Sequence, residues 1–224
     1  MTNLVPKMSP VQNQEALGDC TAYGIGGAIE YNFNLMGHPF FVPSHLFIYW
    51  NERNKEHSVN SDSGAMISDG LYVVNKYGVC PETLWPYDIS KFKIKPPLAC
   101  YTAAKKDIVL RYKRLVGLAQ IKDAMAAGYP VIFGFSVYES FESDEVTNTG
   151  IVPMPQPGEQ LLGGHCVLSA MYDDSIQKVI TKNSWGTDWG MKPPSGTERG
   201  YFELPYDYFT NGLVSDCWVI YYTL

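Results

Sequence analysis

The chain has 224 residues, 46% of them hydrophobic and 18% charged, which is typical of a globular protein with a sizeable core. The formal net charge of −6 argues against a nucleic-acid partner, since such partners attract basic surfaces. No run of 18 apolar residues and no charged-then-apolar N-terminal segment occurs. We therefore expect neither a membrane partner nor a signal peptide, and the compartment stays open.

The first predicted element is a helix. Apolar residues recur at helical spacing from Ala22 to Phe33, and they predict a helix that begins at Cys20 with Asp19 as its N-cap. Three glycines lower the intrinsic propensity of this helix: Gly24, Gly26 and Gly27. Either another element packs closely against them, or burial simply overrides propensity.

More helices are predicted farther along the chain. One begins near Ser44, its expected N-cap, and another covers 65–77. An irregular stretch rich in proline and aromatic residues follows at 80–100, and a short helix is expected over 120–128. The first half of the chain is therefore predominantly helical.

The second half of the chain carries strand patterns. Predicted strands cover 131–137, 167–172, 179–183, 200–204 and 218–222. Helices followed by strands, without alternation, predict an α+β fold or two segregated subdomains. A cleft between two such halves is a common ligand site.

The chain has five cysteines, an odd number, so at least one lies outside any internal disulfide: Cys20, Cys80, Cys100, Cys166 and Cys217. Cys80 and Cys100 bracket the proline-rich stretch and could pair, but sequence does not determine connectivity. No Cys-x-x-Cys pair occurs, so we expect no structural zinc, and we expect no cofactor.

Three residues are candidates for a catalytic role. Cys20 begins a predicted helix, where unpaired amides and the helix dipole favour a thiolate. His165 lies beside two glycines in LGGHCV, and Asn183 lies in KNSWGTDWG. Each residue alone also has an ordinary structural interpretation, since a lone cysteine is most often a small buried hydrophobe.

Together, these residues match the needs of cysteine proteolysis. A thiolate attacks the carbonyl, a histidine protonates the leaving amine, and a third polar group orients the imidazole. An oxyanion donor is needed as well. The side-chain amide of Gln14, together with the backbone N–H of Cys20, could supply it.

These segments, in this order, resemble the papain-like cysteine peptidases. Gln14 lies six residues before Cys20, as the family's oxyanion glutamine precedes its nucleophile. The Gly164-His165 pair followed by an apolar strand resembles the family's histidine segment, and 182–190 resembles its most specific signature. The resemblance covers nearly the full length of the chain.

The sequence also departs from the family's usual pattern. Leu17 replaces a cysteine and no cysteine occurs near 58–64, so a disulfide typical of the family is absent. Thr21 replaces a tryptophan. Asp19 places a carboxylate next to Cys20, which should raise the pKa of the thiol. These features resemble a divergent branch found in bacteria, phages and large viruses.

The resemblance implies one papain-like domain over 1–224 with two lobes. The helical left lobe would cover about 11–110 plus the C-terminal strand, and an antiparallel, β-barrel-like right lobe would cover about 111–212. The active-site cleft would lie between them. The implied substrate-binding residues are Gly64, Ala65, Met66, Ile67, Gly134, Gly163, Gly164, Cys166, Trp185 and Asp216, the last near the floor of the specificity pocket.

The implied function is a cysteine-type endopeptidase that forms an acyl-enzyme through a Cys20–His165 thiolate–imidazolium pair oriented by Asn183. Two alternatives stay open: an aminopeptidase or acyl transferase with the same residues, and a non-catalytic binding protein on this fold. The expected partners are a polypeptide substrate and either an inhibitory pro-segment or a protein inhibitor.

Overall fold

The structure is a computed structural model that describes residues 1–105 and 111–221. Its helices are α1 (Cys20–Met36), α2 (His45–Lys55), α3 (Ile67–Tyr77), α4 (Leu98–Ala104), α5 (Gly117–Ala126), α6 (Asp144–Thr149) and α7 (Tyr206–Thr210). Its strands are β1 (Thr2–Asn3), β2 (Arg111–Leu115), β3 (Val131–Tyr138), β4 (Leu161–Asp173), β5 (Lys178–Lys182), β6 (Tyr201–Pro205) and β7 (Val214–Tyr221). Short 3-10 turns cover Val5–Lys7, Ile89–Lys91 and Glu139–Glu142. The predicted α+β class is confirmed.

The first helix begins at Cys20, as predicted, but its cap differs from the prediction. Asp19 occupies the N-cap position, yet its side chain makes no capping hydrogen bond. The carboxyl group is fully buried and accepts a 3.3 Å hydrogen bond from the hydroxyl of Tyr87. The prediction that the side chain of Asp19 caps α1 is therefore wrong, because its carboxyl group accepts from the hydroxyl of Tyr87 instead.

Glycines in α1 allow two elements to approach it closely. A Cβ atom on Gly24 would lie 2.8 Å from the sulfur of Cys166 in β4. A Cβ atom on Gly26 would lie 2.9 Å from the imidazole of His45 in α2. Of the two explanations given for these glycines, close packing of another element against the helix therefore applies to Gly24 and Gly26.

The other helices follow the predictions in part. Ser44 caps α2, since its hydroxyl accepts from the backbone N–H of Phe47 at 3.2 Å. The third helix begins at Ile67, two residues after the predicted start, and α5 begins three residues before 120. The short helices α4, α6 and α7 were not predicted, because five to seven residues are too few for a clear apolar period.

Seven antiparallel strands form the sheet in the order β2-β7-β3-β4-β5-β6, with β1 added beside β4. The predicted strand at 167 in fact begins at Leu161, so His165 lies inside β4 opposite Phe135 of β3. The two glycines before His165 lay outside the predicted strand, but the ladder with β3 includes both.

The C-terminal strand lies within the sheet, between β2 and β3. Its alternate faces serve different cores: Cys217 and Val219 pack in one, and Ile220 packs in the other, with the helices. The strand predicted to accompany the helical lobe is thus hydrogen-bonded into the sheet and shares only one face with the helices. The predicted lobe boundary near 110, and Tyr222, lie outside the described residues.

Within residues 1–105 and 111–221, the two largest hydrophobic cores flank the sheet. One packs α5 and α7 against one face, and the other packs α1, α2 and α3 against the opposite face. The thiols are all free in the described residues, including Cys80 and Cys100, which are buried and hydrogen-bonded to each other. Among the described helices, none is both long and apolar enough to cross a bilayer.

Candidate active site

The thiol of Cys20 lies where α1 meets the sheet. The backbone N–H of Cys166, in β4, donates a 3.4 Å hydrogen bond to the sulfur of Cys20. Because Cys20 is the first residue of α1, its own N–H has no partner within the helix. The sulfur therefore lies beside an unused amide of its own helix and next to the strand that carries His165.

The imidazole of His165 is held in one orientation. Its Nε2 lies 2.8 Å from Oδ1 of Asn183, which directly follows β5, the neighbour of β4 in the sheet. The backbone N–H of Ser184 donates to the same Oδ1 at 2.8 Å, so this oxygen is the acceptor. Neutral His165 then carries its proton on Nε2 and leaves Nδ1 as a base.

An aromatic wall covers this imidazole. The rings of Trp185 and His165 stack with centroids 5.0 Å apart and an interplanar angle of 28°. Phe141 is completely buried and packs edge-on against Trp185 at 5.4 Å. The indole therefore shields the hydrogen bond between His165 and Asn183 from water, which strengthens it.

Gln14 is fixed beside the same residues by three hydrogen bonds. Its backbone N–H donates to the carbonyl of Ser184 at 2.8 Å, and its Oε1 accepts from the Ser184 hydroxyl at 2.6 Å. Its Nε2 donates to the carbonyl of Leu17 at 2.8 Å. An amide nitrogen has two hydrogens, so one remains for a ligand in the cleft.

A cleft of about 380 Å³ joins these groups. Its lining comprises Gln14, Gly18, Cys20, Ser63, Gly64, Ala65, Val137, Glu142, Leu162, Gly163, Gly164, His165 and Trp185. Five of the predicted substrate-binding residues are in this set: Gly64, Ala65, Gly163, Gly164 and Trp185. The predicted site residues did not include Gly18, Ser63, Val137, Glu142 or Leu162, since nothing in the local pattern distinguishes these residues as cleft-lining.

Three residues predicted for the specificity pocket, Gly134, Met66 and Asp216, are not among those that line this cleft. Gly134 lies next to Ile67, whose Cδ1 would be 3.9 Å from a Cβ atom at 134, and next to Ser215 in β7. Met66 is 57% exposed. Asp216 has a positive φ of 51°, and its carboxylate accepts from the indole N–H of Trp218 at 2.7 Å.

Cys166 contacts the helical core as well as the thiol. Its sulfur packs against Gly24 of α1 in the helical core, and only 4% of the residue is exposed. Successive strand residues face opposite sides, so a residue next to His165 directs its side chain away from the cleft. The contact that Cys166 makes with Cys20 is through its backbone N–H, and its place in the specificity pocket stays a prediction.

Burial dominates the titration of the two central groups. It raises the pKa of Cys20 to about 11, and the N–H of Cys166 opposes this rise. Burial also lowers the pKa of His165 to about 4, against the opposing effect of the hydrogen bond to Asn183. Both shifts favour a neutral thiol beside a neutral imidazole in the empty cleft.

Two buried carboxyl groups lie close to the thiol. Burial raises the pKa of Asp19 to about 8, although the hydrogen bond from Tyr87 opposes it. The hydroxyl of Thr21 donates to Glu52 at 2.9 Å, and burial raises the pKa of Glu52 as well. Asp19 does raise the pKa of Cys20, as expected, but its effect is smaller than that of burial.

Among residues 1–105 and 111–221, no group of three or more His, Cys, Asp and Glu side chains is placed to hold a metal ion.

Comparison with protein families identifies one match. The family described as papain family cysteine protease matches residues 3–213. An uncharacterized peptidase C1-like protein of Acanthamoeba polyphaga mimivirus is 42% identical over 219 residues, which cover 93% of this chain and 68% of that protein.

Two solved structures show similarity in three dimensions. Xylellain, a cysteine protease from Xylella fastidiosa, is 38% identical with a TM-score of 0.89, covering all of this chain and 86% of that one. A Carica candamarcensis cysteine protease in complex with E-64 is 20% identical with a TM-score of 0.71, covering 99% of this chain and 98% of that one. The second similarity concerns the fold alone.

Proposed function

This chain belongs to the papain family of cysteine proteases, and we propose that it is an endopeptidase with Cys20 as nucleophile and His165 as general base and acid. In this proposal, Asn183 orients the imidazole and Gln14 helps to hold the oxyanion. The observation that carries the proposal is that Cys20 and His165 line the same cleft. The N–H of Cys166 in β4 donates to the sulfur of Cys20, and His165 is hydrogen-bonded to Asn183.

The proposed first half-reaction forms an acyl-enzyme. The thiol proton of Cys20 passes to Nδ1 of His165, and the thiolate of the resulting ion pair adds to the scissile carbonyl. The oxyanion accepts from the backbone N–H of Cys20 and from Nε2 of Gln14. The imidazolium then protonates the amine nitrogen as the C–N bond breaks, which leaves a thioester.

Water completes the proposed cycle. His165 takes a proton from water as the water oxygen adds to the thioester carbonyl, and the C–S bond then breaks. The thiolate recovers its proton from the imidazolium, and the acid product leaves. The N–H of Cys166 lowers the pKa of Cys20 and the hydrogen bond to Asn183 raises the pKa of His165, so both contacts favour the charged forms that the ion pair needs.

The cleft favours an endopeptidase over an exopeptidase. A blocked end near 80–100 would favour an aminopeptidase, but the residues that line the cleft include none from that stretch. An acyl transferase would use the same thioester with an amine in place of water, and it remains the second candidate.

We propose an apolar preference for the residue two before the scissile bond. Ile67 and Gly134 border that region, and Met66 is exposed beside it. Asp216 is the only predicted charge there, and its hydrogen bond to the indole of Trp218 engages one oxygen of its carboxylate. A polypeptide inhibitor or pro-segment would occupy the same cleft in this proposal.

The test is covalent labelling with an epoxysuccinyl peptide. We expect one adduct per chain, mapped to Cys20 by mass spectrometry, and no adduct on folded Cys20→Ala. A wild-type protein that stays unlabelled although folded would contradict the proposal and favour a non-catalytic binding protein. Cleavage of an N-terminally blocked peptide at an internal bond distinguishes the endopeptidase from an aminopeptidase.

A further inference from the structure

The carboxylate of Asp62 joins two segments that flank the cleft. The backbone N–H of Gly18 donates to both carboxylate oxygens, each at 3.1 Å. The hydroxyl of Tyr49 donates to Oδ1 of Asp62 and accepts from the N–H of Gly64 at 3.1 Å. One carboxylate and one hydroxyl thus connect the turn before Cys20 with the loop that forms the opposite rim.

The helix α2 anchors this connection. Tyr49 is completely buried, and the guanidinium of Arg53 lies 3.9 Å from the centroid of its ring. Arg53 also donates to the carbonyls of Val59 and Ser61, each at 3.0 Å. The residues that lead to Asp62 are therefore held by the same helix that holds the bridging hydroxyl.

Gly18 is restricted by close packing between the segments, and Gly64 is restricted by its backbone conformation. A Cβ atom on Gly18 would lie 3.0 Å from Oδ1 of Asp62 and 3.5 Å from the nitrogen of Gly64. A Cβ atom on Gly64 would lie 3.8 Å from the carbonyl oxygen of Gly18, and its φ of 68° favours glycine. All cysteines in the described residues are free, so these hydrogen bonds, not a disulfide, join the segments.

We propose that Asp62 is a positioning residue that holds the Gly64–Ala65 edge in register with Cys20, so that an extended peptide can pair with that edge while its carbonyl reaches the sulfur. Hydrogen bonds to a carboxylate are about twice as strong as neutral ones. Here they act directly on the N–H of Gly18 and reach the N–H of Gly64 through the hydroxyl of Tyr49. This inference rests on the proposed function, because it assigns the binding edge used by the substrate.

The test compares three variants by steady-state kinetics on enzyme whose concentration is set by titration of reactive thiol. Asp62→Ala removes the carboxylate, and Tyr49→Phe removes only the bridging hydroxyl while keeping the ring under Arg53. Asp69→Ala is the matched control, since Asp69 is an α3 carboxylate bonded to Lys55 at 2.7 Å and outside the cleft lining.

We expect Asp62→Ala to raise KM by roughly tenfold for a peptide that extends several residues before the scissile bond, as expected for losing a charge-assisted hydrogen bond. Tyr49→Phe should raise it less, and Asp69→Ala should leave it unchanged. Alkylation of Cys20 by iodoacetamide, which needs no pairing edge, should stay within about twofold of wild type. A merely structural role would lower the amount of titratable enzyme but leave KM per active site unchanged, and that result would overturn the proposal.

Amide hydrogen exchange separates this inference from the proposed function. Exchange at Gly18 and Gly64 should be faster by roughly tenfold in Asp62→Ala than in wild type or Asp69→Ala. This readout holds even if no peptide is cleaved, in which case only the proposed function fails. Unchanged exchange at both glycines would contradict the positioning role directly.

Discussion

The backbone N–H of Cys166 donates to the sulfur of Cys20 at 3.4 Å, so the residue that follows His165 touches the thiol that His165 is proposed to deprotonate. This contact joins the first turn of α1 to the centre of β4. It lowers the pKa of a thiol that burial raises, and it would strengthen as negative charge develops on sulfur.

Replacement of Cys20 by alanine should abolish peptide hydrolysis. Catalytic residues that act together lose most of their effect when one is removed, and loss of the nucleophile lowers kcat by roughly 10⁴-fold or more. The measurement is the initial rate on an internally cleaved peptide with a reporter group. Cys100→Ala is the control, because Cys100 is a buried free thiol outside the cleft lining. Turnover near the wild-type level in Cys20→Ala would contradict the mechanism.

Asp19 should destabilise the fold at neutral pH. Its pKa is raised from 3.8 to about 8 in the folded protein, so the folded state binds one proton more than the unfolded state between these pH values. The free energy of unfolding therefore falls as pH rises through this window. Asp19→Asn should remove this fall, which we expect to be a few kcal/mol at about 1.4 kcal/mol per pKa unit. Urea unfolding at both ends of the window measures it.

The hydrogen bond from Tyr87 to Asp19 provides a second variant for that experiment. Tyr87 donates to its carboxyl group, and Asp62, Arg53 and Glu52 interact with it electrostatically. Tyr87→Phe should steepen the fall in stability, since the hydroxyl is a bond that favours the charged form. A pH dependence that is identical in wild type and Asp19→Asn would exclude Asp19 as its origin.

Glu142 should set a charge preference on the leaving-group side of the cleft. It follows the buried Phe141, which packs on Trp185, so its carboxylate lies on the side where His165 would protonate the leaving amine. We expect kcat/KM to favour Lys or Arg over Glu directly after the scissile bond by roughly three- to tenfold at low salt. Peptides that differ only at this position measure the ratio.

Charge reversal provides the sharper form of this test. Glu142→Gln should abolish the preference, and Glu142→Lys should invert it, whereas the exposed Glu145 of α6 is a neighbouring control outside the cleft lining. High salt should weaken the preference in every variant that has it. If Glu142→Lys leaves the charge preference unchanged, the preference must come from another residue.

A buried polar network beside Asn183 should contribute strongly to stability. Lys182 donates to the hydroxyl of Ser9 at 2.8 Å and to the carbonyl of Pro10 at 2.9 Å, and Ser9 donates to the buried Glu30. Lys182→Met should lower the free energy of unfolding by about 3–5 kcal/mol, because it leaves the Glu30 carboxyl group without a compensating charge.

The double variant tests that explanation. Glu30→Gln combined with Lys182→Met should cost less than the two single changes added together, since neither charge is then left alone. Lys178→Met is the control, because its partner Glu203 is a partly exposed carboxylate and such pairs contribute under about 1 kcal/mol. Additive single and double effects in urea unfolding would show that the charges do not interact.

Much of the fold could be predicted where the apolar pattern is long. The start of α1 at Cys20 follows from the helical spacing of its apolar residues, and the cap at Ser44 follows from the need of a helix start for a hydrogen-bond acceptor. The start of β4 could not be predicted, since Gly163 and Gly164 have low strand propensity and only the ladder with β3 makes them part of the strand.

The sequence by itself determined the chemical inventory: one thiol at a helix start, one histidine, one asparagine and one glutamine, in an order that resembles a known family. Only the tertiary structure decided what surrounds them. The sulfur of Cys166 turns into the core, Asp19 is buried, and Asp62 reaches Gly18. Orientation, desolvation and hydrogen-bond partners depend on segments far apart in the chain, so no local pattern contains them.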